Sequence, residues 1–191
     1  VLTKNREKAI PVFKNKIENL LQQLGLEKAK VEVELTSTKD FVQFGKEKIQ
    51  LLFQANSGFP LKPIQSAISG GERSRVMLAI KKLMAENAEL PTLILDEIDT
   101  GVSGSIAEKM ALIMQEMGKQ NRQVISITHL PQIAARGITH YKVYKEDTET
   151  GTNSHIRRLT DEERVKEIAN MLSGATLTEA ALNNAKALIS G

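Results

Sequence analysis

The sequence predicts an α/β fold built on a parallel sheet, with a short antiparallel hairpin and terminal helices. Three observations carry that prediction. Thr92-Leu93-Ile94-Leu95 is a continuous apolar run that ends in two acids, Asp96-Glu97, and short runs of this kind are strands buried on both faces of a parallel sheet. Gln123 to Thr128 is a second such run, ending at His129. Around them lie segments whose apolar residues recur three and four apart, the helical period. Alternating strands and helices build parallel sheets, because a parallel neighbour needs a crossover.

Taken in order, Ile10, Phe13, Ile17, Leu20, Leu21 and Leu24 mark a first helix. Pro11 is expected to start or kink it, and Gly25 to stop it. From Val31 to Leu35 apolar and charged residues alternate, the mark of a half-buried strand. Thr36 to Asp40 reads as a turn and Ile49 to Ala55 as a second strand, broken at Asn56 to Pro60. A loop over 61–68 leads into Ser69-Gly70-Gly71-Glu72 and a helix. Val76, Ile80 and Leu83 mark one face of that helix, with Met77 and Met84 beside it and Arg73, Arg75, Lys81 and Lys82 off it. The next helix begins near Ser103, with Ile106, Met110, Ile113 and Met117 on its stripe. Pro131 suits the first turn of a short helix that Gly137 closes.

Tyr141 to Glu146 and His155 to Leu159 read as a hairpin extending the sheet edge, joined by a polar link around Thr150-Gly151. Thr160 and Glu163 form a capping box. The helix behind it carries Val165, Ile168, Ala169 and Leu172 and stops at Ser173-Gly174. A last helix runs from about Thr178 to Ile189.

Bulk properties exclude several classes. With 191 residues, 41% of them apolar, the chain can bury the core of one domain. Aromatics are only 4%, without Trp, so Leu, Ile, Val, Met and Ala must build that core. No apolar run approaches the ~20 residues of a membrane span, and the amino terminus lacks a signal layout. The absence of Cys removes disulfides, thiolate metal sites and a Cys nucleophile, and fits a cytoplasmic protein. Three scattered His do not suggest zinc. A net charge of +3 falls short of the dense positive footprint of an autonomous DNA-binding domain. A first residue of Val points to a chain cut from a longer one.

Three elements carry chemistry. Ser69-Gly70-Gly71-Glu72 opens a helix, where glycines let an anion approach and unpaired N–H groups meet it. Asp96 and Glu97 end an apolar strand, a layout in which one acid can hold Mg²⁺ and the next can orient and polarise water. His129 ends the neighbouring strand, and a neutral imidazole there can bond a phosphate oxygen or the attacking water. Each alone is an ordinary loop, strand end or surface His. Together they lie at the strand ends where open α/β sheets bind ligands.

These residues resemble the carboxyl-terminal lobe of an ABC ATPase head, a P-loop NTPase-like fold. The signature motif falls on Ser69, Gly70, Gly71 and Glu72, and a Walker B strand ends in Asp96 and Glu97. The D-loop runs from Asp99 through Gly101 and Ser103 to Gly104, and the switch histidine is His129. More narrowly the chain is similar to SMC-like ATPases of bacterial DNA double-strand-break repair. That likeness lies in Pro60-Leu61-Lys62-Pro63, Asp96 to Gly104, Thr128 to Ala134 and Arg164 to Gly174. Ile68 stands where transporters usually carry Leu, and Glu72 where they carry Gln, as SMC-like repair ATPases often do.

The resemblance implies residues 1–26 as the end of a returning coiled-coil helix and 27–191 as the lobe. It implies ATP and Mg²⁺, with Asp96 holding the metal through water, Glu97 and His129 catalytic, and the signature acting in trans. Asp99 is expected to communicate across the interface between heads. The expected partners are the chain's own amino-terminal lobe, a second head in a homodimer, and DNA, in a cytoplasmic, nucleoid-associated protein without membrane contact. No G-x-x-x-x-G-K-[ST] occurs, so the P-loop must come from elsewhere and the lobe alone is expected to be inactive. Lys4, Arg6, Lys8, Lys14 and Lys16 read as a solvated helix face. Two other readings stand beside this one: the nucleotide-binding domain of a membrane transporter, and a non-catalytic scaffold. The helix entering before the strands favours a coiled coil over the first, and retention of both Asp96 and Glu97 opposes the second.

Overall fold

The computed structural model describes residues 1–191 apart from 89, 120, 149, 150 and 175. Helix α1 spans Leu2–Gln23 with Pro11 inside it, so a start at Pro11 is corrected. Proline deletes the N–H that would reach the Glu7 carbonyl, and both residues are exposed, so water can serve that acceptor. The last turns bury Ile17, Leu20 and Leu21, and Leu24 follows them into the core. Two of the five basic residues on this helix are engaged. Arg6 binds Glu47 at 2.5 Å, and Lys14 pairs with Glu32.

Strands β1 (Lys30–Val42) and β2 (Gly45–Gln54) form an antiparallel hairpin along α1. The predicted turn at Thr36 to Asp40 is strand instead. Thr36 and Ser37 pair with Lys48 and Glu47, a register irregularity falls between Ser37 and Val42, and the chain reverses at Gln43-Phe44. Polar residues read as a turn here because this end of the hairpin is solvated on its outer face. The predicted loop at 61–68 contains β3 (Lys62–Pro63), which pairs with β2, and a single turn of helix, α2 (Ile64–Ala67).

Helix α3 (Gly70–Asn87) buries Val76, Leu78, Ala79, Leu83 and Ala85, while Met77 and Met84 stand exposed. The buried stripe is thus rotated from the predicted one. Strands β4 (Thr92–Asp96) and β5 (Gln123–Ile127) pair in parallel, from Thr92↔Gln123 to Asp96↔Ile127, with α4 (Gly104–Gly118) as their crossover. Burial on both faces is corrected. Leu93 and Leu95 point into the core, but Ile94, Ile125 and Ile127 on the other face are 57%, 42% and 52% exposed. The main core is built where α1, α3 and α4 meet the inner faces of the sheets, with Phe53 as its largest fully buried side chain.

Helix α5 (Pro131–Arg136) begins on Pro131 as predicted. Strands β6 (Tyr141–Thr148) and β7 (Gly151–Arg158) form a sheet of their own rather than extending the parallel one. Thr150 of the predicted link lies outside the described residues. Lys142–Glu167 and Arg157–Glu163 contacts, 2.5 and 2.7 Å, tie this hairpin to α6 (Asp161–Ser173). The capping box forms as predicted: the Thr160 N–H donates to Glu163 Oε2 at 2.9 Å and the Glu163 N–H to Thr160 Oγ1 at 3.3 Å. Helix α7 (Glu179–Ser190) completes a small cluster with Ala135, Ile168 and Ala169. Among the described residues no helix is long and apolar enough to cross a membrane.

Candidate functional site

Parallel pairing of β4 with β5 puts Asp96 opposite Ile127, so the chain leaves both strands at the same rim. Glu97 follows with φ +46, a left-handed conformation that is uncommon outside glycine and concentrates at functional sites. Its N–H donates to the Ile127 carbonyl at 3.3 Å, which extends the pairing one step past the strand. Its carbonyl accepts from the Thr100 hydroxyl at 3.0 Å, folding 97–100 into a turn. Asp96 and Glu97 are exposed, and neither carboxylate has a hydrogen-bond or ion-pair partner among the described residues. Both are free to meet a ligand.

Asp99 behaves oppositely. It is 1% exposed and turned inward, where Oδ2 accepts from the Thr128 hydroxyl and Oδ1 lies 3.8 Å from His129 Nδ1. Thr128 also accepts from the Leu130 N–H at 3.0 Å, so one hydroxyl joins the D-loop turn to the end of β5. The His129 ring projects from the same rim, with a side chain 68% exposed.

The glycine-rich helix start lies against this turn. A Cβ on Gly71 would come within 2.4 Å of the Gly101 carbonyl oxygen, and Gly101 itself has φ +73. Only two glycines permit that approach. Gly70, by contrast, faces open space. Ser69 caps α3, and its N–H donates to Glu72 Oε2 at 2.9 Å. Glu72 therefore satisfies the helix start, and acid in a first turn also complements the helix dipole. Ser103 caps α4, and Gly104 has φ +55.

Two supporting residues carried no sequence signal beyond being polar near the motif. Buried Ser74 donates to the Thr100 carbonyl at 2.7 Å, fastening α3 to the turn. Arg75 donates from Nε to the Gly71 carbonyl at 3.0 Å and from Nη1 to the Leu24 carbonyl at 3.3 Å, so it spans from the helix start to the end of α1. Burial lowers the Arg75 pKa and Glu72 opposes that shift. No group of three or more His, Cys, Asp or Glu able to hold a metal occurs among the described residues. Asp96 offers one exposed carboxylate, a fit for Mg²⁺, which keeps waters and takes one or two carboxylates alongside substrate phosphates.

The fold resembles one lobe of solved SMC head domains. The chain superposes on the Smc head domain with coiled coil and joint from Pyrococcus yayanosii with TM-score 0.68, at 18% identity, covering 87% of this chain and 30% of that one. It also superposes, with TM-score 0.64 and 17% identity, on a chain from a structure described as "Structural biochemistry of ATP-driven dimerization and DNA stimulated activation of SMC ATPases", covering 91% of this chain and 99% of that one. In sequence the chain is RecN-like. It is 39% identical to DNA repair protein RecN of Deinococcus radiodurans over 97% of its length, and 35% identical to that of Halalkalibacterium halodurans over 98%. It spans about a third of the length of these relatives, 32% and 34%. No family model matches the chain.

Proposed function

We propose that this chain is the carboxyl-terminal lobe of an ATP-hydrolysing head in a RecN-like protein of DNA double-strand-break repair and recombination. The observation that carries the reading is the shared rim. Parallel strands release Asp96 and Glu97 unpartnered beside His129, and Gly71 packs on Gly101 to hold the helix start against the same turn. In this reading residues 1–26 end a returning coiled coil whose last turns are rooted in the core, and 27–191 form the lobe. The protein would act in the bacterial cytoplasm at the nucleoid, on DNA.

In mechanism, Asp96 would hold Mg²⁺, which would supply neutralising charge at the transferring phosphate. Glu97 orients the attacking water and draws its proton, and His129 contacts the water or the γ-phosphate from the neighbouring strand. Ser69 and the Gly70-Gly71 amides present donors to a nucleotide held by a second head. The phosphate-wrapping loop comes from an amino-terminal lobe. The exposed face of Ile94, Ile125 and Ile127, on the same side as Asp96, supports a neighbour packing there.

Steady-state hydrolysis tests this. A complete protein carrying this segment should hydrolyse Mg·ATP, and Glu97→Gln should lower turnover by about 100-fold or more while binding persists. The isolated segment should show none. Turnover by the complete protein indifferent to Glu97 would sink the reading, and Glu97-dependent turnover by the isolated segment would overturn the need for a second lobe.

A further inference from the structure

Aromatic residues are scarce in this chain, yet two of them stand in solvent at one place, the tip of the β1–β2 hairpin. Phe41 is 79% and Phe44 68% exposed there. The first turns of α1 hold the tip in position. Glu47, buried just behind it, accepts from the Thr3 hydroxyl and from Arg6 at 2.5 Å. Arg6 also donates to the Phe44 carbonyl at 2.5 Å. At Gly45 a Cβ would come within 2.9 Å of the Leu2 side chain, so the hairpin lies directly on the helix. The other end of α1, roughly 30 Å away, is tied through Arg75 to the start of α3. The tip is therefore separate from the rim that carries Asp96.

Charge at the tip is one-sided. Lys39, Lys46 and Lys48 are exposed, and none has an ion-pair partner among the described residues. Against them stands a single exposed acid, Asp40, because Glu47 is buried and matched by Arg6. Lys46 Nζ lies 4.7 Å from the centroid of the Phe41 ring, which still presents most of its surface to water. Open aromatic faces beside unpaired cations are what single-stranded nucleic acid requires, since bases stack on rings while lysines follow the phosphates. A duplex keeps its base faces stacked inside and has none to offer these rings. A packed helix would have to desolvate the lysines.

We propose that the β1–β2 tip is a contact site for single-stranded DNA, with bases stacked on Phe41 and Phe44 and phosphates met by Lys39, Lys46 and Lys48. The proposal rests on the reading of this protein as one that acts on DNA, and adds to it a place and a strand form. It does not depend on the chemistry at the Asp96 rim.

The test is fluorescence anisotropy of the complete protein with a labelled oligothymidylate and with a duplex of equal length. Phe41→Leu combined with Phe44→Leu keeps apolar bulk and removes the rings. It should weaken oligothymidylate binding about ten-fold or more and leave duplex binding within about two-fold. Tyr at both positions should retain the parent affinity within about two-fold. Ala at Lys39, Lys46 and Lys48 should reduce the salt slope for oligothymidylate by about 2, at about 0.7 for each phosphate on a single strand. Unfolding midpoints should match the parent, because all five side chains are exposed. Parent-like oligothymidylate binding by the Leu pair, or an equal loss on both DNAs, would overturn the proposal. So would intact binding with a lowered midpoint or altered sedimentation, which would make the tip a packing surface for its own chain or for a second copy. A parent protein that binds neither DNA would instead defeat the DNA reading itself, so the two failures are distinguishable.

Discussion

Gly71 and Gly101 meet backbone to backbone, and that contact sets where the start of α3 stands relative to the turn carrying Asp99. Gly71→Ala would drive a methyl into the Gly101 carbonyl oxygen at 2.4 Å, against a partner that cannot rotate away. The expected cost is about 1–3 kcal/mol of stability, the range for overpacking a close contact. Gly70→Ala, one residue earlier and facing open space, should fall within about 0.5 kcal/mol of the parent. Urea unfolding of the two variants side by side checks the contrast, and equal midpoints would show that the glycine pair does not set the approach. The motif flags both glycines alike. Only the coordinates separate a glycine required by packing from one left free for a ligand.

At the scale of elements, the hairpin β6–β7 depends on α6 for its footing, and His140 sits at that joint with Nδ1 buried and unpartnered. Burial lowers its pKa, Arg164 and Lys142 add to the shift, and Glu167 opposes it. The unfolded chain therefore binds this proton first, at a pKa near about 6.5. The His140 contribution is fully present above that value and is lost as pH falls through it toward the folded-state pKa. Thermal unfolding should show the loss between pH 7.5 and 5.5, and His140→Phe should flatten that part of the profile; an unchanged slope would remove His140 as its source. The sequence revealed elements whose own residues determine them. The Thr160–Glu163 capping box and the helix opening on Pro131 formed as read, because each depends on local hydrogen bonding or a fixed φ. It misread elements that depend on neighbours. Thr36 to Asp40 looks like a turn until β2 supplies Lys48 and Glu47 as partners. Likewise Ser74 and Arg75 look like solvated helix residues until Thr100 and Leu24 are found opposite them.

Across the whole molecule, the parallel sheet is covered on one side by helices and open on the other, and this is where the sequence overstated burial. Ile94, Ile125 and Ile127 are as apolar as Leu93 and Leu95, because a sequence pattern records the surfaces a strand buries in its complete setting. An apolar sheet face with Asp96 on its rim is a surface to which a second lobe can bring both packing and phosphate-binding groups. Ile125→Lys should then act differently in two settings. In the isolated segment the side chain is already substantially wet, so stability should change by no more than about 0.5 kcal/mol. Against an added amino-terminal lobe the lysine must be desolvated and the burial of the isoleucine's remaining exposed surface, roughly 1 kcal/mol, is forgone, so affinity should fall roughly ten-fold or more. Calorimetric titration of the separately produced lobes, with unfolding of the segment as control, measures both. Undiminished affinity in the variant would mean that the lobes meet elsewhere, and that the open face of β4–β5 serves another purpose.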